Sequence, residues 1–404
     1  MVTASGPVNR SMGGAAVAAP LDAIGAIRWN PASVSGLTSS EIGFGLDLVW
    51  PMLEIDSSIG GFGGTTAADP GVTPIPSAAW VHKIDGSALT IGLGVAGVAG
   101  FCTNYPASTT NPILMPQSNT PGVPGGFGRI YTEACFMQLA PTVSLALTDR
   151  LSVGVSPLIT LGKVIVDPLV ITAPNDADGS MVLRYPSGRG TRMHWGGGAQ
   201  AGVFYIVNED WRIGGAIKTP NWMEPLQFNT EDELGNPQQA EFKMDLPMIV
   251  SGGVSYAGID DVVLALDVRY LDYENTDGFG DSGFNADGSL RGLGWNSVFA
   301  LATGIQYRLM DPLFVRLGYT FNENPTPESQ TAVNIAAPLH YQHEFHTGGS
   351  YQLTRNAWLH AAYTYYLEHE ITGPIFTPMG VIPDSSVTSR ESVHVASVGV
   401  SVDY

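Results

Sequence analysis

Residues 41–50 read Glu41-Ile42-Gly43-Phe44-Gly45-Leu46-Asp47-Leu48-Val49-Trp50. Ile42, Phe44, Leu46, Leu48 and Trp50 fall on one face, and Glu41, Gly43, Gly45 and Asp47 on the other. A period of two marks a strand. Apolar outward and polar inward is the rhythm of a membrane barrel wall. Working outward, the pattern returns along the chain and predicts fourteen strands: 40–50, 77–85, 88–100, 131–147, 150–166, 191–207, 210–219, 244–257, 261–273, 295–309, 312–322, 340–353, 356–369 and 391–404.

The connections sort by length. Tight ones fall at Asp85-Gly86-Ser87, Thr148-Asp149-Arg150, Asn208-Glu209-Asp210, Gly258-Ile259-Asp260, Met310-Asp311-Pro312 and Thr354-Arg355-Asn356, all turn residues at hairpin length. Long ones, 51–76, 101–130, 167–190, 220–243, 274–294, 323–339 and 370–390, alternate with them. Short periplasmic turns and long external loops are the asymmetry of an outer-membrane barrel. Leu313, Val315, Leu317, Tyr319 and Phe321 are expected to face lipid, with Arg316, Gly318 and Thr320 inside. Trp50, Trp80, Trp211, Tyr270, Tyr319 and Tyr365 suit interfacial girdles.

Composition agrees. The chain has 404 residues of uniform texture, with 49 Gly and only 18 Lys+Arg. A formal net charge of −19 argues against nucleic acid, which needs a basic face. No apolar run reaches the length of a transmembrane helix, and a barrel strand needs only about 9–11 residues. Met1-Val2-Thr3-Ala4-Ser5 lacks the charged and apolar regions of a signal peptide, so an outer-membrane location implies a mature chain.

One segment breaks the rhythm. Ser11–Leu37, SMGGAAVAAPLDAIGAIRWNPASVSGL, is rich in small residues and is expected to plug the barrel. Residues 1–39 are therefore read as a hatch and 40–404 as the barrel. Asn30-Pro31-Ala32 predicts a helix start, with Asn30 as cap, Pro31 in the first helical position and Gly36 as stop. At the other end, apolar residues at every second position lead to Tyr404, which resembles the terminal signal read by bacterial barrel-assembly machinery. Cys102 and Cys135 flank one long loop and are expected to form a disulfide there; two unpaired thiols are the alternative.

These residues together resemble a known family, the FadL/TodX outer-membrane channels for long-chain fatty acids and other hydrophobic compounds. The carriers are Gly13–Ala18 and Asp22–Ala32, including the Asn-Pro-Ala motif; Leu246–Tyr256 with Leu264–Tyr273; and Gly304–Arg308 with Val315–Thr320 and Asn324-Pro325-Thr326-Pro327. The resemblance implies a fourteen-stranded barrel with an N-terminal hatch and no cofactor. It implies loop capture of a hydrophobic ligand, gating by Trp29, Asn30, Pro31 and Ala32, and sideways exit at a kinked third strand. In this chain that strand carries Gly92, Gly94, Gly97 and Gly100; such glycines mark a bulge or close approach, and room for the hatch is the other reading. Family loops three and four often carry helical hairpins. Here 167–190 and 220–243 lack helical periodicity, so capture is expected from Phe101, Leu114 and Phe127, with Trp222 and Phe228.

No catalytic constellation is found: there is no GxSxG, P-loop or CxxC pair. His340, His343 and His346 alternate faces on a strand, against a metal site. Inward charges are expected at Glu41, Asp47, Arg212, Lys218, Asp267, Arg269, Arg308, Arg316 and Glu368. They either form a wall-to-hatch network or offer one cation, such as Arg269, Arg308 or Arg316, to a ligand carboxylate. The expected function is passive outer-membrane diffusion of a hydrophobic small molecule, with no enzyme activity. The alternatives are a barrel that binds a protein partner in a membrane complex, and an open polar pore.

Overall fold

Each alternating stretch becomes a wall strand. In this computed structural model they are β1 (Glu41–Ile59), β2 (Thr73–Lys83), β3 (Leu89–Tyr105), β4 (Ile130–Ala146), β5 (Leu151–Asp167), β6 (His194–Ile206), β7 (Trp211–Lys218), β8 (Met248–Ile259), β9 (Val262–Asp272), β10 (Val298–Met310), β11 (Leu313–Asn322), β12 (His343–Gln352), β13 (Ala357–Gly373) and β14 (Ser385–Asp403). The structure describes residues 1–120, 125–188 and 190–404. Residues 121–124 of the long loop at 101–130, and residue 189 of that at 167–190, lie outside the described residues.

Every strand pairs antiparallel with its neighbours in sequence, and β1 pairs with β14 from Glu41↔Asp403 to Ile59↔Ser385, closing the barrel. The alternation sets the faces. Phe44 and Leu317 are exposed on the outside, while Asp47, Arg316 and Thr320 are buried inside. The short turns are held by their own side chains: Thr148 Oγ1 accepts from the Arg150 and Leu151 amides, and Asn208 Oδ1 from the Asp210 and Trp211 amides. Trp80 Nε1 donates to the Tyr404 hydroxyl at 2.6 Å, an aromatic pair at the rim of the wall.

The strands run further outward than their alternation. β1 continues through the expected loop to Ile59 and turns into a hairpin with Phe62–Ala67. Beyond Met52 the outward positions turn polar at Glu54, Asp56 and Ser58 and the inward ones apolar at the buried Leu53 and Ile55, so the apolar-out alternation of the wall inverts. A bulge between Tyr366 and His369 shifts β13 against β14 and leaves Glu368 exposed rather than in the lumen. Arg308 is also not a lumen charge. It is half-exposed at a turn, facing Asp261 and Asp311 at 3.5 and 3.6 Å.

Residues 1–40 precede β1 and lie inside the barrel, most of them buried. They form helices α1 (Pro7–Ser11) and α2 (Ala23–Trp29) and a tight turn at Ser33–Gly36. No helix is long and apolar enough to cross a membrane. Asn30 ends one helix and begins the short helical turn expected after it: Pro31 follows, and a 3-10 turn at Ser33–Gly36 stops at Gly36. α2 begins at the Asp22 cap, whose carboxylate accepts from the Gly25 amide, and Asn30 closes it. With Pro31 next, the chain cannot continue the helix, because the residue before proline is pushed out of the helical region. Asn30 Nδ2 instead donates to the carbonyls of Val17 (2.8 Å) and Val203 (2.9 Å), and its Oδ1 accepts from the Ala32 amide. One side chain so joins two parts of the N-terminal segment to β6.

The wall meets this segment through glycines. A Cβ on Gly94 would strike Ile27, on Gly154 Pro31, on Gly202 Asn30, on Gly214 Val17, on Gly304 Met12 and on Gly318 Gly13. Gly45 and Gly399 likewise face Pro7, Gly348 faces Ser11, and Gly253 faces Val17. The polar-face glycines of the sequence are thus places where backbone packs on backbone.

The expected disulfide is absent, and both thiols are free. Cys102 sits opposite Glu133, and Cys135 opposite Gly100. They are diagonal neighbours across β3 and β4. Such positions lie roughly 7–8 Å apart, too far for a bridge without moving the backbone.

Candidate functional site

The wall opens between β2 and β3. Their pairing runs from Lys83↔Thr90 to Ser77↔Ala96 and stops. Beyond it, β2 stays with β1 as far as Val49↔Thr73, and β3 stays with β4 as far as Tyr105↔Ile130. Two neighbouring strands therefore part company while each keeps its other partner. At the parting point β3 carries a bulge between Gly97 and Ala99. The extra residue, Val98, is buried, and its carbonyl accepts from the Val2 amide at 2.9 Å. Ile75 covers Gly97 across the seam.

Behind the seam lies a largely apolar cavity of about 110 Å³, lined by Ile75, Gly97, Phe101, Leu339, Tyr366 and Val393 among others. Both cysteines reach it. A second cavity of about 50 Å³ is lined by Trp29, Arg269, Leu271, Tyr273 and Trp295. Met1 and Val2 line both, so these residues form the partition between them. A third, about 30 Å³, sits among the external loops between Phe127, Val166, Phe284, Leu290, Val333 and Phe376.

Trp29 stands at the second cavity within a cluster of cations. The Arg269 guanidinium lies 3.4 Å from its ring centroid, that of Arg28 4.9 Å, and Lys218 Nζ 5.2 Å. All three cations are buried. Arg269 donates to Asp267 at 3.1 Å and to the carbonyls of Thr3 and Gly14. Asp267 Oδ2 also accepts from the Ala16 and Val17 amides at 2.8 and 3.1 Å, while its Oδ1 is buried without a partner. Lys218 Nζ and Arg28 Nε and Nη1 have no hydrogen-bond partner, and neither does the amide of Gln200, opposite Lys218 on β6. Arg10, by contrast, pairs with Asp47 at 2.7 Å, and Arg316 donates to Gln306 and Ser350. Leaving a buried charge without a partner costs several kcal/mol.

The structure brings some of the expected residues together and separates others. Phe101 lines the inner cavity and Phe127 the outer one. Leu114 is buried with Leu53, Ile55 and Tyr105, and Phe228 with Phe136 and Trp295. Trp222 points away from all of these, 58% exposed on the outer side of a short strand beside β6. The strand period turns its neighbour Met223 inward instead. Gly92 and Gly94 face Ile27 of α2, Gly97 faces the seam, and Gly100 packs on the Ala134 carbonyl. His340 and His346 are buried and His343 is not. Arg28 and Val98 escaped the sequence reading. An arginine among small apolar residues beside Trp29 was the available signal for the first.

Comparisons with known proteins agree. A family model described as outer membrane protein transport protein (OMPP1/FadL/TodX) matches residues 1–402. The fold is similar to that of the Pseudomonas putida toluene transporter TodX, at 15% identity and TM-score 0.73, over 100% of this chain and 99% of that one. The Ralstonia pickettii toluene transporter TbuX is similar at 19% identity and TM-score 0.72, with the same coverage. So is a Pseudomonas aeruginosa FadL homologue, at 14% identity and TM-score 0.74. No curated protein matches in a sequence comparison. A closed fourteen-stranded barrel, filled by an N-terminal segment and matched from end to end by one family model, places this chain in the FadL/TodX family of outer-membrane transport proteins, which are channels rather than enzymes.

Proposed function

We propose that the chain is a passive channel in the bacterial outer membrane for a hydrophobic small molecule, which leaves through the side of the wall between β2 and β3. Cargo enters among the external loops at Phe127, Phe284 and Phe376 and moves to the apolar cavity at Phe101. It then passes between Ile75 and Gly97 into the bilayer. Residues Met1–Thr3 gate that route, because Val2 holds the bulge carbonyl of Val98 and separates the two inner cavities. The observation that carries this reading is the broken β2–β3 pairing directly over an apolar cavity. In a bilayer, unpaired strand edges are costly unless protein or ligand covers them, and here Ile75 covers the gap. Tyr404 follows directly on β14, where barrel-assembly machinery would read it.

The Trp29 cluster favours one refinement. The unpaired groups of Arg28 and Lys218 suit cargo with a carboxylate head, as opposed to a neutral hydrocarbon such as toluene. The test is uptake of a labelled long-chain fatty acid and of labelled toluene by cells whose only such channel is this protein. Accumulation of either over barrel-free cells supports the channel, and preference for the acid supports the refinement. No accumulation of either, with a stoichiometric protein co-purifying, favours the scaffold reading.

A further inference from the structure

At the outer rim, far from the seam, two loops bring three carboxylates together. Asp176 and Asp178 lie in the loop after β5, and Glu233 in the turn at 232–236, within the connection from β7 to β8. One oxygen from each lies within 4.8 Å of the others. Glu233 is the informative member. Its side chain is only 6% exposed, and its Oε2 has no hydrogen-bond partner. Asn175 Oδ1, next to Asp176 in sequence, is also buried without a partner, and Asn175 and Glu233 line the same cleft.

The charges do not balance. Among the described residues, Arg184 is the one cation paired to the group, through Nε to Glu233 and Nη2 to Asp178 at 3.5 Å. Its remaining Nη1 is taken by Asn119 at 2.7 Å. Among the described residues, three carboxylates face one guanidinium, and the Glu233 Oε2 beside them is buried without a partner. Donors that are all oxygen suit a hard cation rather than zinc or copper. Irregular loops adapt to the variable coordination of calcium better than to the octahedron magnesium demands.

We propose that Asp176, Asp178 and Glu233 bind a calcium ion that ties the third external loop to the fourth. The site is independent of the transport reading. It revises the sequence-level expectation of no metal, which was argued from histidine spacing; these ligands are distant in sequence and show no motif. External calcium modules bind with Kd of roughly 10⁻⁴–10⁻³ M, and that range is expected here.

The test is calorimetric titration of CaCl2, with MgCl2 as contrast, into the purified barrel in detergent after chelator treatment and dialysis. Wild type and the variants Glu233→Gln and Asp178→Asn are compared, with heat-modifiable electrophoretic mobility confirming that each barrel is folded. The expected result is one saturable calcium site in wild type, weakened at least about tenfold in both variants, with calcium protecting the loop at 168–188 from protease in wild type alone. No saturable binding by wild type up to about 10 mM, or a smaller change in either variant, overturns the proposal and leaves an Arg184 ion-pair group only.

Discussion

Ile75 of β2 fills the space over Gly97 of β3: a Cβ built on Gly97 would stand 3.8 Å from the Cβ of Ile75. That is the mean separation of bridged cysteine Cβ atoms, and it sits where the wall loses its pairing. In a background with Cys102 and Cys135 replaced by Ser, Ile75→Cys with Gly97→Cys is expected to form a disulfide across the seam. Uptake of labelled fatty acid should fall at least about tenfold when oxidised and return on adding dithiothreitol. Equal uptake in both redox states counts against sideways exit.

Gly94 and Gly97 lie close in sequence but face different partners, so their substitutions separate. Gly94→Val drives a side chain into Ile27 of α2 and should destabilise docking of the N-terminal segment by about 1–3 kcal/mol, the usual cost of overpacking. Gly97→Val meets Ile75 and should impede passage while that docking is unchanged. Hydrogen exchange of residues 7–36, measured beside uptake, distinguishes the two. Faster exchange in both variants would remove the distinction.

Asn30 donates to two carbonyls, one in the N-terminal segment and one in β6. Asn30→Ala should cost about 2–3 kcal/mol, since buried acceptors lose their donors. The readouts are limited proteolysis of residues 1–40 and single-channel conductance in planar bilayers. Both should increase, and a variant as protease-resistant and as silent as wild type would show that the latch is dispensable.

Lys218 offers an opposite pairing of stability and binding. Replacing a buried, unpartnered cation by an apolar side chain of similar length removes a desolvation cost. Lys218→Met should therefore raise the thermal unfolding midpoint of the barrel. Charge-assisted hydrogen bonds contribute about 1.5–3 kcal/mol, so the same variant should weaken fatty-acid binding roughly 10–150-fold and leave toluene binding unchanged. Equal losses for acid and hydrocarbon would mean that the site does not read a carboxylate.

The barrel was legible because lipid on one side and a packed interior on the other impose a strict alternation. Turn residues such as Thr148 and Asn208 then marked one end. The strand extensions were not legible: beyond the bilayer the alternation inverts, with Leu53 and Ile55 turned inward and Glu54 and Asp56 outward. Asn30 was read as the start of the turn that stops at Gly36; that it also closes α2 and latches onto β6 was not legible, because a side chain that caps and one that latches look alike in sequence. The cysteines flanked one loop, yet a register offset of two residues is invisible without the ladder. Trp222 went wrong by one residue of phase, Met223 being the one turned inward. Lys218 and Arg269 were read as inward charges, but their meeting with Arg28 at Trp29, and that of Asp176 and Asp178 with Glu233, lay beyond sequence reading, since each joins residues distant in sequence.

The glycines that face the N-terminal segment have a consequence for passage. Ten wall strands touch that segment at positions where even a methyl group would collide, among them Gly154, Gly202, Gly304 and Gly318. A stopper seated this closely on so many strands has no room to shift as a rigid piece, so any passage past it calls for a local change at one edge rather than withdrawal of the whole.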